Sequence, residues 1–271
     1  MLKKIDPKRI VSSIVLLIIA FIILIFGNQV IIDIACGLVA VICLHEYFEC
    51  LKQKAKPIKW IGYLSAIFIC MMHIIPEKQR LDVFIVAIPI IVMLLFFKSI
   101  STNLKTTVTD ISITFFGIVY ISFFIMFIPL LRSIENGKFL VWFIFLSAWG
   151  TDIVAYLVGK NFGKHKFSEI SPNKTIEGCI GGIIGSIIPV LIYCTICNNL
   201  FNLSLSYIYM TFVAVVLSIV GQLGDFAASS IKRYAGIKDF SNLIPGHGGL
   251  LDRIDSVIFI APITYILLML L

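Results

Sequence analysis

The chain has 271 residues, 59% of them hydrophobic and 14% charged, with a mean hydropathy of +1.04 and a formal net charge of +7. Soluble domains carry about 25% charged residues, so this composition excludes a water-solvated globular fold and argues against a disordered tail or a disulfide scaffold. No Arg/Lys-rich patch is interleaved with aromatics, so nucleic acid is not an expected partner. What remains is an all-α, polytopic integral membrane protein, expected as a single domain over residues 1–271.

A membrane-crossing helix needs about 20 predominantly apolar residues, and nine stretches meet or approach that length. In chain order they run from Ile10 to Phe26, Val30 to Leu44, Trp60 to Ile75, Leu81 to Phe97, Val108 to Leu131, Phe139 to Val158, Cys179 to Cys197, Leu205 to Gly224 and Ile254 to Leu271. The first run follows Lys3, Lys4, Lys8 and Arg9, yet no small-residue cleavage site follows it and Gly27-Asn28-Gln29 reads as a hairpin. It is therefore expected to be a permanent helix.

Eighteen of the 22 Lys and Arg fall in the N-terminus and alternate connections, which places those segments in the cytoplasm. A multi-pass protein of the inner (plasma) membrane is expected, with residues 1–131 supplying helices and 132–271 supplying helices and cytoplasmic loops that carry the chemistry. Of the seven cysteines, Cys36, Cys43 and Cys50 share a helical face and Cys194 and Cys197 form a C-x-x-C within an apolar run. With no polar partners nearby they read as small hydrophobes. Gly178, Gly181, Gly182 and Gly185 form overlapping G-x-x-x-G pairs, a close-packing face within the fold or at a homodimer seam. Glu46 and Glu49 are read as interfacial.

Polar residues concentrate in two cytoplasmic segments. The first runs from Trp149 and Asp152 through Tyr156 and Gly159 to Ser171, Lys174, Thr175 and Gly178. Asp152 lies inside an apolar run and must either pair with a cation or face a wet cavity. The second runs from Asp225 and Ser229 through Lys232, Arg233, Lys238 and Asp239 to Pro245-Gly246-His247-Gly248-Gly249 and then Asp252, Arg253 and Asp255. Four of the nine aspartates fall here among four cations. Clustered carboxylates need a cation, and hard oxygen ligands favour Mg²⁺ over zinc; Lys, Arg and glycine-rich backbone favour phosphates. Metal-assisted phosphoryl or nucleotidyl transfer follows, in which catalysis is largely positioning and charge stabilisation. His247 either satisfies a turn or faces a phosphate, and Asp255 either pairs with Arg253 or binds metal.

The run SSIKRYAGIKDFSNLIPGHGGLLDRID, Ser229 to Asp255, closely resembles the C-terminal signature of bacterial phosphatidate cytidylyltransferases (CDP-diacylglycerol synthases). Upstream, the D-x-x-A-Y-x-x-G of Asp152 to Gly159 and the I-S-P-x-K-T-x-E-G of Ile170 to Gly178 are similar to a second region of that family. The resemblance implies transfer of CMP from CTP to phosphatidate, giving CDP-diacylglycerol and pyrophosphate, with Mg²⁺ and a second cation such as K⁺. It implies that Asp225 and Asp252 hold the metal, with Asp239 and Asp255 as further candidates. Lys174, Lys232, Arg233, Arg253 and His247 match its polar positions and are expected on nucleotide or lipid phosphate, and Ser171, Thr175, Ser229, Lys238, Gly248 and Gly249 are expected to bind substrate. Many members carry an acidic residue just before the motif serine, where this chain has Ala228. The rival readings are a CTP-dependent transferase or kinase acting on another lipid and, from a different class, a secondary transporter coupled through Asp152.

Overall fold

The computed structural model describes residues 18–269 apart from Asn173, Pro245 and His247. The start of the first expected span, its basic flank and the last two residues lie outside the described residues. Among the described residues the regular structure is helical, with two isolated bridges, Lys166 to Thr175 and Ile244 to Gly248, and no strand. Lipid offers no hydrogen bonds to the backbone, so a chain this apolar satisfies its peptide groups within helices.

Residues 18–26 are helical (α1), and α2 follows at Gln29–Cys50, its first turn capped by the Asn28 side chain, which accepts from Ile31 N at 2.9 Å. Then come α3 (Lys59–Cys70), α4 (Glu77–Ser101), α5 (Val108–Gly117), a π-helical stretch (Ile118–Phe123), α6 (Phe127–Ser133), α7 (Gly137–Leu140) and α8 (Trp142–Phe162). The last three are α9 (Ile176–Phe201), α10 (Tyr207–Ala235) and α11 (Leu251–Leu268).

Among the described residues, six segments are long and apolar enough to cross a bilayer: Gln29–Cys50, Lys78–Ser101, Val108–Ser133, Gly137–Phe162, Ile176–Phe201 and Tyr207–Ala235. The other three expected spans differ in kind. The first begins outside the described residues. The third is the 12-residue α3, about 18 Å long at 1.5 Å per residue, against a hydrocarbon core of roughly 30 Å. The last, α11, carries Asp252, Arg253 and Asp255 in its first turns. Conversely, α10 has 29 residues, about 43 Å, so its polar end with Asp225, Lys232 and Arg233 continues as helix beyond an apolar span.

The described chain groups into two compact units: Met1–Leu130 with Ala235–Arg253, and Leu131–Tyr234 with Ile254–Leu271. In unit 1, α2, α3, α5 and the π-helical stretch enclose Leu44, Phe48, Ile61, Ile118 and Ile121. The 51–58 connection is tied down by backbone donors. Lys56 N donates to Asp110 at 2.5 Å and Ile58 N to Thr114 Oγ1 at 2.9 Å, while Asp110 also closes a capping box with Thr107.

Unit 2 is organised by the packing of α8 on α9, through the glycine face read from the sequence. A Cβ at Gly150 would lie 2.6 Å from Gly185 O, so the two backbones approach to a distance that only glycine permits. The stripe is thus used within the chain. Buried hydroxyls stitch the helices together: Ser147 and Ser186 meet at 2.9 Å, Ser186 Oγ donates to Ala214 O at 3.0 Å, and Thr151 Oγ1 donates to Ser218 Oγ at 2.8 Å. In a medium without water each such group needs a partner on a neighbouring helix.

Gly150→Val should therefore separate α8 from α9 and destabilise unit 2 by about 1–3 kcal/mol, typical of overpacking. Thermal unfolding in detergent should show a lower midpoint, and an unchanged midpoint would contradict the close approach.

Candidate functional site

At the end of α8 and the start of α9, unit 2 contains a cavity of about 560 Å³, within the range of small-molecule sites. Asp152, Tyr156 and Lys160 line it from α8, Ser171, Lys174 and Thr175 from the 163–175 connection, and Gln222 and Asp225 from α10. Asp152 therefore faces a cavity, one of its two expected settings.

The connection is not a slack loop. Phe167 N donates to Lys174 O at 3.0 Å and Ile176 N to His165 O at 2.9 Å, closing a narrow turn around Lys166 and Thr175. Glu177 accepts from the His165 side chain at 2.7 Å, and Arg233 Nε donates to Ile170 O at 3.2 Å. Thr175 caps α9, its hydroxyl accepting from Gly178 N at 3.1 Å. Thr175 and Arg233 thus hold the turn that presents Lys174, whatever further contact they make with substrate.

Lys174 Nζ donates to Asp225 Oδ2 at 2.5 Å, with the two side chains about a quarter exposed. The ammonium also stands 4.5 Å from the centre of the Phe226 ring, which stacks on Phe167 with centroids 4.7 Å apart. Asp255 is buried on α11, within electrostatic reach of Asp225 and Lys232, and its Oδ1 accepts from Ser256 N at 2.9 Å. Ser229, one turn beyond Asp225, is half-buried.

The middle of the second polar segment, Ala235 to Arg253, falls in unit 1. Gly236, Gly246 and Gly248 have positive φ, and Ile244 N donates to Gly248 O at 2.9 Å, which brings Ile244 and Gly248 side by side. Asp252, at the start of α11, accepts from Phe240 N at 2.8 Å and Gly249 N at 3.0 Å through Oδ2. Lys238, Asp239 and Arg253 are exposed, and His247 lies outside the described residues.

Glu46 is the residue the sequence reading placed elsewhere. It is buried, at 2% exposure, and accepts from Ser241 Oγ at 2.6 Å, Leu250 N at 2.9 Å and Leu251 N at 2.7 Å. Glu49 is the interfacial one, pairing with Lys52 and Lys59. The distinguishing signal was local. Glu49 has a lysine three residues on, whereas Glu46 has only Ile42, Cys43, Glu49 and Cys50 at helical neighbour positions, so its partners had to come from elsewhere in the fold.

Among the described residues no three His, Cys, Asp or Glu side chains cluster as a metal cage. Mg²⁺ binds through one or two carboxylates, waters and substrate phosphates. The Asp225–Asp255 pair supplies suitable oxygen donors.

Spanning helices and a cavity lined by carboxylates and lysines define an integral membrane protein equipped for a phosphorylated ligand. The chain matches the model of the cytidylyltransferase family over residues 7–271, and it belongs to that family. It is 32% identical to a Bacillus subtilis (strain 168) phosphatidate cytidylyltransferase over 275 residues, 97% of this chain and 98% of that protein. A Staphylococcus haemolyticus protein of the same name is 34% identical, covering 96% and 98%, and one from Staphylococcus saprophyticus is 39% identical over 65% of each chain.

Because Thr175 is the cap of a 26-residue helix, Thr175→Val should cost about 1 kcal/mol, whereas Thr175→Ser should be near neutral. Melting midpoints of the two variants in detergent check this, and equal midpoints would remove the capping role.

Proposed function

We propose that this protein is a phosphatidate cytidylyltransferase, converting CTP and phosphatidate to CDP-diacylglycerol and pyrophosphate. The observation that carries the reading is the cavity in which Lys174 meets Asp225 beside the N-terminus of α9. Family membership across nearly the whole chain and the names of full-length relatives support the substrates.

The chemistry asks little of the protein as a nucleophile. A phosphate oxygen of phosphatidate, already ionised near neutral pH, forms the new bond to the α-phosphorus of CTP, and the bond from that phosphorus to the pyrophosphate oxygen breaks. Both substrates and the departing pyrophosphate are anionic, so the dominant cost is gathering negative charge. Lys174, presented by a braced turn, and Lys160 on α8 supply positive charge around the cavity, and the start of α9 adds its partial positive end. Residues held on helix ends and a closed turn lose little order on binding, which favours positioning. Asp225 holds Lys174 in place until a phosphate competes for it. Gly249, whose N–H is engaged by Asp252, contributes to loop shape, and Lys232, Arg233, Lys238, Arg253 and His247 are kept as phosphate contacts by their match to the family motif.

Mg²⁺ is the proposed metal, with Asp225 as a ligand beside Asp255 and with Asp252 assigned by the motif. When bound it offsets phosphate charge and orients the α-phosphate. K⁺ as a second cation rests on the resemblance alone. The active loops are proposed to lie on the cytoplasmic face of the inner membrane, where CTP is available, supported by the 18 of 22 cations that fall in the N-terminus and alternate connections when all nine apolar runs are counted as crossings. The glycine face is taken up by α8, so dimerisation forms no part of this proposal.

Purified protein given α-phosphate-labelled CTP and phosphatidate should move label into lipid with release of one pyrophosphate per lipid. Label appearing only with another lipid, or only from γ-labelled CTP, would point to a different transferase or to a kinase, and no transfer at all would leave the transporter class. Asp225→Asn and Lys174→Met should each lower turnover at least 100-fold while the protein still inserts in membranes. Wild-type turnover in both would remove the site assignment.

A further inference from the structure

The loop that carries the P-G-H-G-G motif is held from two directions by carboxylates. Asp252 acts locally, accepting from Phe240 N and Gly249 N. Glu46 acts at long range, reaching from α2 across some 200 residues of sequence to Ser241 Oγ and to the N–H groups of Leu250 and Leu251. Leu250 and Leu251 stand where the loop becomes α11, and the first N–H groups of a helix have no partner within it. A carboxylate at that point satisfies those donors and lies at the positive end of the helix dipole. Ser241 Oγ also accepts from Leu243 N at 3.1 Å, so the same contact fixes the chain on the other side of the motif.

The glycine of the motif reports how tight this is. A Cβ at Gly249 would fall 2.6 Å from Glu46 Oε2, inside any tolerable contact, so the loop backbone rests directly on the carboxylate. Three donors converge on this one buried carboxylate, and hydrogen bonds to a carboxylate are roughly twice as strong as neutral ones.

We propose that Glu46 is a positioning residue for the transfer reaction: it anchors both ends of the 241–251 segment, so that the motif loop and the start of α11 keep one arrangement while substrate charge is gathered. Its own oxygens are engaged by the loop, and it acts through that loop. This rests on the reading of the motif loop as part of the reaction site.

The test uses full-length protein in lipid nanodiscs, with Glu46→Gln, Glu46→Asp and wild type. Glu46→Gln keeps the shape but replaces one acceptor oxygen with a donor that faces backbone N–H groups. It should lower kcat at least 10-fold with each KM changed less than threefold. Amide exchange should accelerate in residues 240–251 and stay unchanged in the rest of α2. Glu46→Asp, which keeps both oxygens, should recover part of the lost kcat. Turnover within twofold of wild type in Glu46→Gln would overturn the proposal. So would faster exchange spread through α2 and α3 with no recovery in Glu46→Asp, because that marks a general packing defect. If wild type itself transfers no cytidylyl group, the functional reading fails while the exchange measurement still decides whether Glu46 anchors the loop.

Discussion

A carboxylate retained in a lipid-solvated fold has to be met by a donor or a cation, and the described structure is arranged around that constraint. Asp110 is met by Lys56 N and Thr107, Glu46 by Ser241 and two backbone N–H groups, Asp252 by Phe240 N and Gly249 N, and Asp225 by Lys174. The first three carboxylates meet mainly backbone N–H groups, which fixes loops against helix ends. The fourth meets the Lys174 ammonium at a cavity wall, where a phosphate can compete for it. The same rule thus distinguishes carboxylates held by backbone donors from Asp225, which meets a side-chain cation at a cavity.

The cavity depends on helix geometry that is set elsewhere. Gly150 and Gly185 let α8 and α9 approach closely, and hydroxyl pairs such as Thr151 with Ser218 lock α10 beside them. Toward the end of α8 the connection 163–175 turns back and is pinned by Thr175, Glu177 and Arg233. Lys174 is therefore carried on a framework of caps and closed turns and reaches Asp225 from a defined direction. An anionic substrate entering this cavity meets positive charge carried on a braced framework, so that the partner of Lys174 changes while the turn that presents it stays in place.

Much of this was legible in the residues themselves. The apolar runs announced the long helices, the G-x-x-x-G pairs announced a close-packing face, and Asp225 with Lys174 stood out as charges in a chain that carries few. What could not be read was the identity of partners distant in sequence. Hydrophobic periodicity says that Glu46 lies on a helix, yet only the fold brings Ser241, Leu250 and Leu251 onto its carboxylate. Helix length was likewise hidden where apolar residues continue past a helix end: the run from Trp60 to Ile75 is apolar enough to span, but α3 stops at Cys70 and a short 3₁₀ turn follows at Met72–Ile74. Composition registers solvation, and hydrogen-bond termination registers length, so the two part company there.

The account turns on Lys174 changing its partner from Asp225 to substrate phosphate. Equilibrium titration of CTP with Mg²⁺ into nanodisc-embedded wild type, Lys174→Met and Lys164→Met measures this most directly. Lys174→Met is predicted to weaken binding at least 10-fold, while Lys164→Met, whose exposed side chain does not line the cavity, should stay within twofold of wild type. Equal affinity in all three, or equal loss in both variants, would contradict it.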